Sequence, residues 1–383
     1  MEEKPALSPT PEPIAFIDLQ AQRARIAGRV DAAIAKVLAH GAFILGPEVA
    51  ELESHLAAYV GARHAITCSS GTDAILLALL AHGVRPGDAV FMPAFGFVAA
   101  AEMTALIGAS PVFVDVDPES FNLDPASLAA AIEEQHSGSL RPAAILAIDL
   151  YGQAADYPTL SKLAEREGLA LIEDAAQSFG GTLDGKKCGT LAPIATTSFY
   201  PTKPLGCYGD GGAVFTDDAA LAQIMGRLRV HGEGKDKYLF KEVGINGRMD
   251  TIQAAVLLEK MTIFDDELAR RQKVADRYEA VLGDLVETPK LMPGNGSAWA
   301  QYTIQVDDRD GFAKKLRADG VPTAVHYPVA LNDVAPYANY PTAPDGAPVS
   351  RRLAKRVISL PMHPYLEAPA QDRILAAIRK ALS

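Results

Sequence analysis

The chain has 383 residues, 49% of them hydrophobic and 22% charged, and a formal net charge of -11 at pH 7. This is globular composition at a length that buries at least one large core and usually divides into two domains, which excludes a disordered or fibrous chain. Net negative charge repels nucleic acid and anionic membranes, so neither is an expected partner, and an anionic small molecule must be met by local cations.

The opening stretch, "MEEKPALSPTPEPIAF", is acidic and proline-rich where a secretory signal needs a positive start and an apolar run. Residues 1–15 are expected to form a flexible arm. "RIAGRVDAAIAKVLAHG" and "PEVAELESHLAAYVG" then place apolar residues at helical spacing, each ending at a glycine suited to a C-cap. From "HAITC" onward, short runs rich in Val, Ile and Phe alternate with helical patterns: "AVFMPAF", "SPVFVDVD", "AAILAIDLYG", "LALIEDAAQS", "TTSFYPTK" and "GGAVFTDD". Strands alternating with helices predict an α/β fold with a largely parallel sheet between helices, and ligands gather at the carboxyl ends of such strands. Near residue 255 the pattern changes to a long helix, "TIQAAVLLEKMTIFDDELARRQKVADRYEAVLGDL", followed by a mixed portion with "AWAQYTIQV", "GVPTAVHYP" and a closing helix "DRILAAIRKAL". Residues 16–255 are therefore expected to form a large domain and residues 256–383 a smaller C-terminal α/β domain.

"FVAAAEMTALIGASPVFVDVD" is interrupted by Glu102 and Pro111, so no membrane span is expected. Cys68, Cys188 and Cys207 form no CxxC pair and are odd in number, which suggests neither a zinc site nor a disulfide framework and fits a reducing cytoplasm. His40, His55, His64, His82 and His136 are expected in helices or their connecting turns, without metal-ligand spacing, and no metal is expected.

Three stretches carry chemistry. In "SFYPTKPLGCYGDGG" the lone Lys203 stands in a loop after a strand, where an amine can be held against a carbonyl compound; a solvated loop lysine fits that stretch as well. In "LIEDAAQS", Glu173 and Asp174 follow an apolar strand. Asp174 has the placement of a carboxylate beside a pyridine nitrogen, with Gln177 one turn on, although an acid there also caps turns. In "CSSGTDAILLALL", small residues precede an apolar helix whose first-turn N–H groups can hold a phosphate, and Ser or Thr at that point is also the common N-cap.

The order of these stretches, with "FILGPEVAELE", "PAFGF", "GASPVFVDVD", "GINGRMDTIQAA" and "HYP" between and after them, resembles the DegT/DnrJ/EryC1/StrS family of sugar aminotransferases. The resemblance covers the chain from Phe16 to its C-terminus. It implies the aspartate-aminotransferase fold (fold type I), pyridoxal 5'-phosphate as cofactor, and Lys203 as the Schiff-base lysine and the acid/base of proton transfer. Asp174 would pair with the pyridine nitrogen, Gln177 would lie near the ring oxygen, and Phe97 would stack on the ring. Gly71, Thr72 and Ser198 would bind the phosphate, and Asn246 would reach it from a second subunit, which implies a homodimer with shared sites. Family members that dehydrate sugars carry histidine at the lysine position; the lysine here implies amino transfer from L-glutamate to a nucleotide-linked keto sugar.

Within the family, "SFYPTKPLGCYGDGGA", "RQKVA", "GVPTAVHYPVALN" and "SLPMHPYL" look closest to enzymes that aminate UDP-2-acetamido-2-deoxy-3-oxo-glucuronate for bacterial surface polysaccharides, including O-antigen. A uronate adds a carboxylate, for which Arg248 is the candidate bidentate partner, helped by His326 and Tyr327. Arg248 also suits a structural ion pair, and a neutral 3-keto or 4-keto sugar is the alternative substrate. His231 in "RVHG" is either a cleft residue or a structural one, and Cys207 is read as a small packing residue. A sugar-nucleotide sensor on the same fold, without turnover, is the alternative of a different class.

Overall fold

The computed structural model describes residues 13–236 and 238–383. The expected N-terminal arm lies, up to residue 12, outside the described residues. Two helices come first, α1 (Leu19–His40) and α2 (Pro47–Val60), ending on left-handed Gly41 (φ 72°) and Gly61 (φ 86°), a conformation that costs glycine no Cβ clash. The alternating region follows: β1 (His64–Cys68), α3 (Gly71–Ala81), β2 (Asp88–Pro93), α4 (Ala99–Leu106), β3 (Ser110–Val114), α5 (Pro125–His136), β4 (Arg141–Ile148), α6 (Tyr157–Glu167) and β5 (Ala170–Asp174). Next come the short strands β6 (Thr182–Leu183) and β7 (Lys186–Lys187), then β8 (Ile194–Ser198), β9 (Gly212–Thr216) and α7 (Ala219–Leu228). The remainder comprises α8 (Thr251–Leu282), β10 (Asn295–Gly296), β11 (Tyr302–Gln305), α9 (Arg309–Ala318), α10 (Pro348–Arg356), β12 (Val357–Leu360) and α11 (Ala368–Leu382).

Seven strands form the main sheet in the order β1-β9-β8-β5-β4-β2-β3. β9 runs antiparallel to both of its neighbours, and the other pairings are parallel. Helices cover both faces, so the strands read as continuous apolar runs rather than alternating ones. β5 lies at the centre, and register aligns Asp174 with Ile148 of β4 on one side and with Thr196 of β8 on the other. The carboxyl ends of β5 and β8 thus open at the same edge, followed by the two loops the sequence marks for chemistry.

One histidine departs from expectation. His64 opens β1 instead of lying in a helix or turn, because the antiparallel ladder with β9 extends far enough to pair it with Thr216.

α8 is continuous over 32 residues. Its first half packs Ala254, Leu257 and Phe264 against Phe179, Phe199 and Phe215 beneath the main sheet. Its second half packs Val274, Tyr278 and Leu282 against Tyr302, Ile304, Ile358 and Ile378, a separate core built on the antiparallel pair β11–β12 and α11. The domain boundary expected between residues 255 and 256 falls inside this helix. Among the described residues, no helix is long and apolar enough to cross a membrane.

Candidate active site

The first corner of the site is where β1 feeds α3. Ser70 caps the helix, its Oγ accepting the Asp73 N–H at 3.0 Å. The N–H groups of Gly71 and Thr72, in the first turn, have no hydrogen-bond acceptor recorded among the described residues, as expected of donors an α-helix cannot satisfy internally. Ser198, the last residue of β8, abuts this turn so closely that a Cβ on Gly71 would lie 2.5 Å from Ser198 Cβ and 3.0 Å from its Oγ. A Cβ on Gly212 would lie 2.3 Å from the Ser70 carbonyl. Only glycine permits this approach, which sets the Ser198 hydroxyl against the first turn of α3.

The segment holding Asn246 and Arg248 reaches the same corner, since the Ser69 N–H donates to the Gly247 carbonyl at 3.0 Å. Asn246 is exposed there, and Arg248 is half-buried, its Nε buried and without a partner among the described residues. His231 is exposed and donates its N–H to Ile245, beside this segment.

Lys203 occupies the loop between β8 and β9. Three contacts shape the loop: the Lys203 N–H donates to Tyr200 O at 2.9 Å, the Cys207 N–H to Phe199 O at 2.8 Å, and the buried Lys260 Nζ to Gly206 O at 2.6 Å. Burial lowers the Lys203 ammonium from its ordinary pKa, and the Asp174 carboxylate acts in the opposite direction. At the end of β5, Asp174 is buried and accepts the Ala176 N–H at 3.0 Å; burial raises its pKa, while that N–H and Lys203 hold it down. Cys207 packs with Phe199, Met249 and Phe264, as a small core residue does.

Glu173 faces the opposite side of β5, as strand alternation requires, and its carboxylate accepts the N–H groups of Gly189 at 2.6 Å and Leu191 at 2.8 Å. It lies in a buried group with Asp149 and Cys188, whose ligand-type atoms all fall within 4.8 Å of one another. Asp149 is occupied by Ser178 Oγ at 2.7 Å, Tyr157 Oη at 2.9 Å and the Ala155 N–H at 2.9 Å. Protein donors thus already fill the carboxylates.

Gln177 is buried and oriented from both ends: its Oε1 accepts the Tyr151 N–H at 2.7 Å, and its Nε2 donates to Tyr327 Oη at 3.2 Å. Tyr327 also packs near Phe97, with ring centroids 6.1 Å apart, and Phe97 remains 52% exposed, an open aromatic face at the rim. His326 stands next to Tyr327 with Nδ1 2.8 Å from Ser359 Oγ; burial and the nearby Lys203 lower its pKa. Tyr151, Ser359 and Lys260 are contact residues that the sequence does not single out, although all three lie within the stretches quoted above.

These residues lie at or just past the ends of β1, β2, β4, β5 and β8 and in the C-terminal part. The profile of the DegT/DnrJ/EryC1/StrS aminotransferase family matches residues 25–379. The chain belongs to that family. UDP-2-acetamido-2-deoxy-3-oxo-D-glucuronate aminotransferase of Pseudomonas aeruginosa is 48% identical over 366 residues, covering 95% of this chain and 99% of the relative. A family aminotransferase from Brucella abortus is 52% identical with a TM-score of 0.95, covering 96% of this chain and 99% of the other. NtdA from Bacillus subtilis, solved with the cofactor PMP bound, is 32% identical with a TM-score of 0.86, covering 97% of this chain and 85% of the other. This DegT/DnrJ/EryC1/StrS protein is accordingly a pyridoxal phosphate-dependent aminotransferase of fold type I.

Proposed function

We propose that this aminotransferase moves an amino group from L-glutamate to C3 of UDP-2-acetamido-2-deoxy-3-oxo-glucuronate, in a cytoplasmic homodimer that serves bacterial surface polysaccharide (O-antigen) synthesis. The observation that carries the chemistry is the opposed charge effect of Lys203 and Asp174 on each other, together with the close approach of Ser198 to Gly71 in the first turn of α3. The identity to the P. aeruginosa uronate enzyme supports the substrate.

The donor set fits pyridoxal phosphate. The unpartnered N–H groups of the α3 turn and Ser198 Oγ suit a phosphate dianion at a positive helix end. Asp174 is a buried acid able to keep a pyridine nitrogen protonated, Gln177 presents an amide toward the ring edge, and Phe97 offers a face for stacking. When bound, the cofactor supplies an aldehyde that exchanges amino groups and a ring that takes up the electron pair of a carbanion. Lys203 provides the amine. Its lowered pKa enlarges the neutral fraction, and a neutral amine both adds to a carbonyl and removes the proton from glutamate Cα, returning one to the sugar carbon in the second half of the cycle. Tyr327 and His326 line the sugar side, with the substrate between the parts at residues 16–255 and 256–383.

Two observations support a second subunit in each site. Leu239, Phe240 and Val243 are 62, 58 and 94% exposed on the segment leading to Asn246, a patch that calls for cover. The buried Arg248 Nε has no partner among the described residues, which is costly for a guanidinium and suits a carboxylate or a neighbouring subunit supplying the missing acceptor.

The test is mass-spectrometric detection of product with pyridoxal phosphate, L-glutamate and the 3-keto uronate made in place by a dehydrogenase, beside a UDP or TDP 4-keto-6-deoxy sugar. Amination of the uronate is expected. Amination of the neutral sugar alone overturns the uronate assignment and the role of Arg248, and leaves the chemistry of Lys203 intact.

A further inference from the structure

The pair His326–Tyr327 belongs to the C-terminal part, yet its neighbours tie it to two sheets at once. From the main sheet, the 3-10 turn Leu150–Gly152 follows β4 and presents Tyr151, buried and with φ 62°, in the left-handed region a bulky residue rarely adopts. Each polar group of Tyr151 is engaged. Its N–H donates to Gln177 Oε1 at 2.7 Å, its carbonyl accepts the Gln301 N–H at 3.3 Å, and its hydroxyl donates to the His326 carbonyl. An edge-on contact with Phe121, 5.2 Å between centroids, fixes the ring.

From the small sheet, β12 supplies Ser359. Its backbone exchanges two hydrogen bonds with Ala324, at 2.7 and 3.2 Å, docking the stretch before His326 along the strand. Its Oγ meets His326 Nδ1 at 2.8 Å and Thr303 Oγ1, its cross-strand partner, at 2.9 Å. Ser359 and Thr303 are fully buried; their hydroxyls meet each other and His326, and Thr303 also interacts with the Tyr151 hydroxyl.

We infer that Tyr151 and Ser359 are positioning residues that hold His326 and Tyr327 as a preset arm for the keto sugar, with Tyr151 fixing the main chain and Ser359 the imidazole. Both act through His326. Tyr151 also couples the two sides of the site: the residue whose N–H orients Gln177 carries the hydroxyl that fixes the sugar arm. The arm being preset, its ordering is complete before the sugar arrives.

The inference rests on the reading that His326 and Tyr327 face the sugar, and its test separates the two. Y151F keeps the ring, the Phe121 contact and the N–H to Gln177, and deletes only the hydroxyl; S359A deletes the imidazole hold and serves equally should Y151F not fold. Single-turnover kinetics with any nucleotide-linked keto sugar the wild type aminates are expected to give an apparent affinity for the sugar lower by about tenfold, the equivalent of one hydrogen bond. The glutamate half-reaction should stay within about twofold, because Gln177 remains oriented. In the cofactor-free protein, amides of residues 323–327 should exchange faster with deuterium in both variants, a readout independent of which sugar is the substrate. Unchanged exchange, wild-type affinity for the sugar, or an equal fall in both half-reactions with a matching drop in Tm overturns the inference and leaves Tyr151 and Ser359 as packing residues.

Discussion

Asp174 and Lys203 oppose, in each other, what burial does to them. Burial drives the acid up and the amine down, toward two neutral groups, and the attraction between them pulls both back toward the charged pair. In D174N that attraction is lost, so the Lys203 pKa should fall further below the ordinary lysine value. The pH dependence of reductive attachment of pyridoxal phosphate to Lys203 reads this out, with its midpoint moving to lower pH. Turnover should fall by about 10²–10⁴-fold, the range for loss of a positioned proton-transfer group, because a neutral amide cannot hold the ring nitrogen protonated. A midpoint that stays put or moves up would separate the two residues.

Gly71 is a steric requirement rather than a flexible joint. A methyl group there would sit 2.5 Å from Ser198 Cβ, and β8 pairing with β9 leaves Ser198 little room to retreat. G71A should cost about 1–3 kcal/mol by overpacking and spread the α3 turn away from Ser198. Pyridoxal phosphate titrated by fluorescence should bind at least about tenfold more weakly, with a smaller relative change in glutamate affinity for the loaded fraction. Full cofactor affinity in G71A would show that the phosphate is held elsewhere.

Much of this site is legible in sequence because its parts are local. An apolar strand ending in two acids places one on each face, and the period of two separates Asp174 at the sheet edge from Glu173 beneath it. The α3 turn and the Lys203 loop are likewise short stretches with their own signals. Tyr151 and Ser359 carry no such signal: one contacts His326 across 175 positions, the other across 33, and only the meeting of two sheets brings them together. Lys260 looks like an ordinary charged residue on a helix surface, but α8 is covered there and the ammonium is buried against Gly206. His64 illustrates the same limit, since its strand state depends on a partner strand roughly 150 residues away, where non-local pairing overrides local propensity.

Asp149 provides a stability test away from the chemistry. Burial, reinforced by the nearby Asp174, pushes its pKa up to about 7, against the pull of its three donors. A carboxyl whose folded pKa lies above its unfolded one favours folding most at low pH, and that contribution fades as pH rises through the folded value. The native protein should therefore lose stability from this group as pH rises toward 7. D149N has the same shape and cannot ionise, and Ser178 can turn its hydroxyl to accept from the new amide. Its Tm should be flatter between pH 5 and 7 than that of the wild type. An identical slope in the two proteins would mean that Asp149 stays ionised throughout.

The proposed sharing of each site between two subunits makes a prediction that no single-chain arrangement shares. If Lys203 and Asp174 come from one subunit while Asn246 and Arg248 come from the other, K203A and R248A are each defective through different subunits' contributions. Co-refolded or co-expressed in equal amounts, half of the dimers are hybrids under random assembly, and each hybrid has one site with both defects and one with neither. The mixture should recover about a quarter of wild-type activity, while neither variant alone, nor the two mixed as preformed stable dimers, does so. R248A alone should lose about 10–100-fold in kcat/KM for the uronate, as expected for a lost charged hydrogen bond, and little for a neutral keto sugar. Absence of recovery after verified hybrid formation would place Arg248 in the same chain's site as Lys203. The Ser69 to Gly247 hydrogen bond already brings that segment to the edge of the chain's own cradle, so the two arrangements differ only in the direction the Arg248 side chain serves.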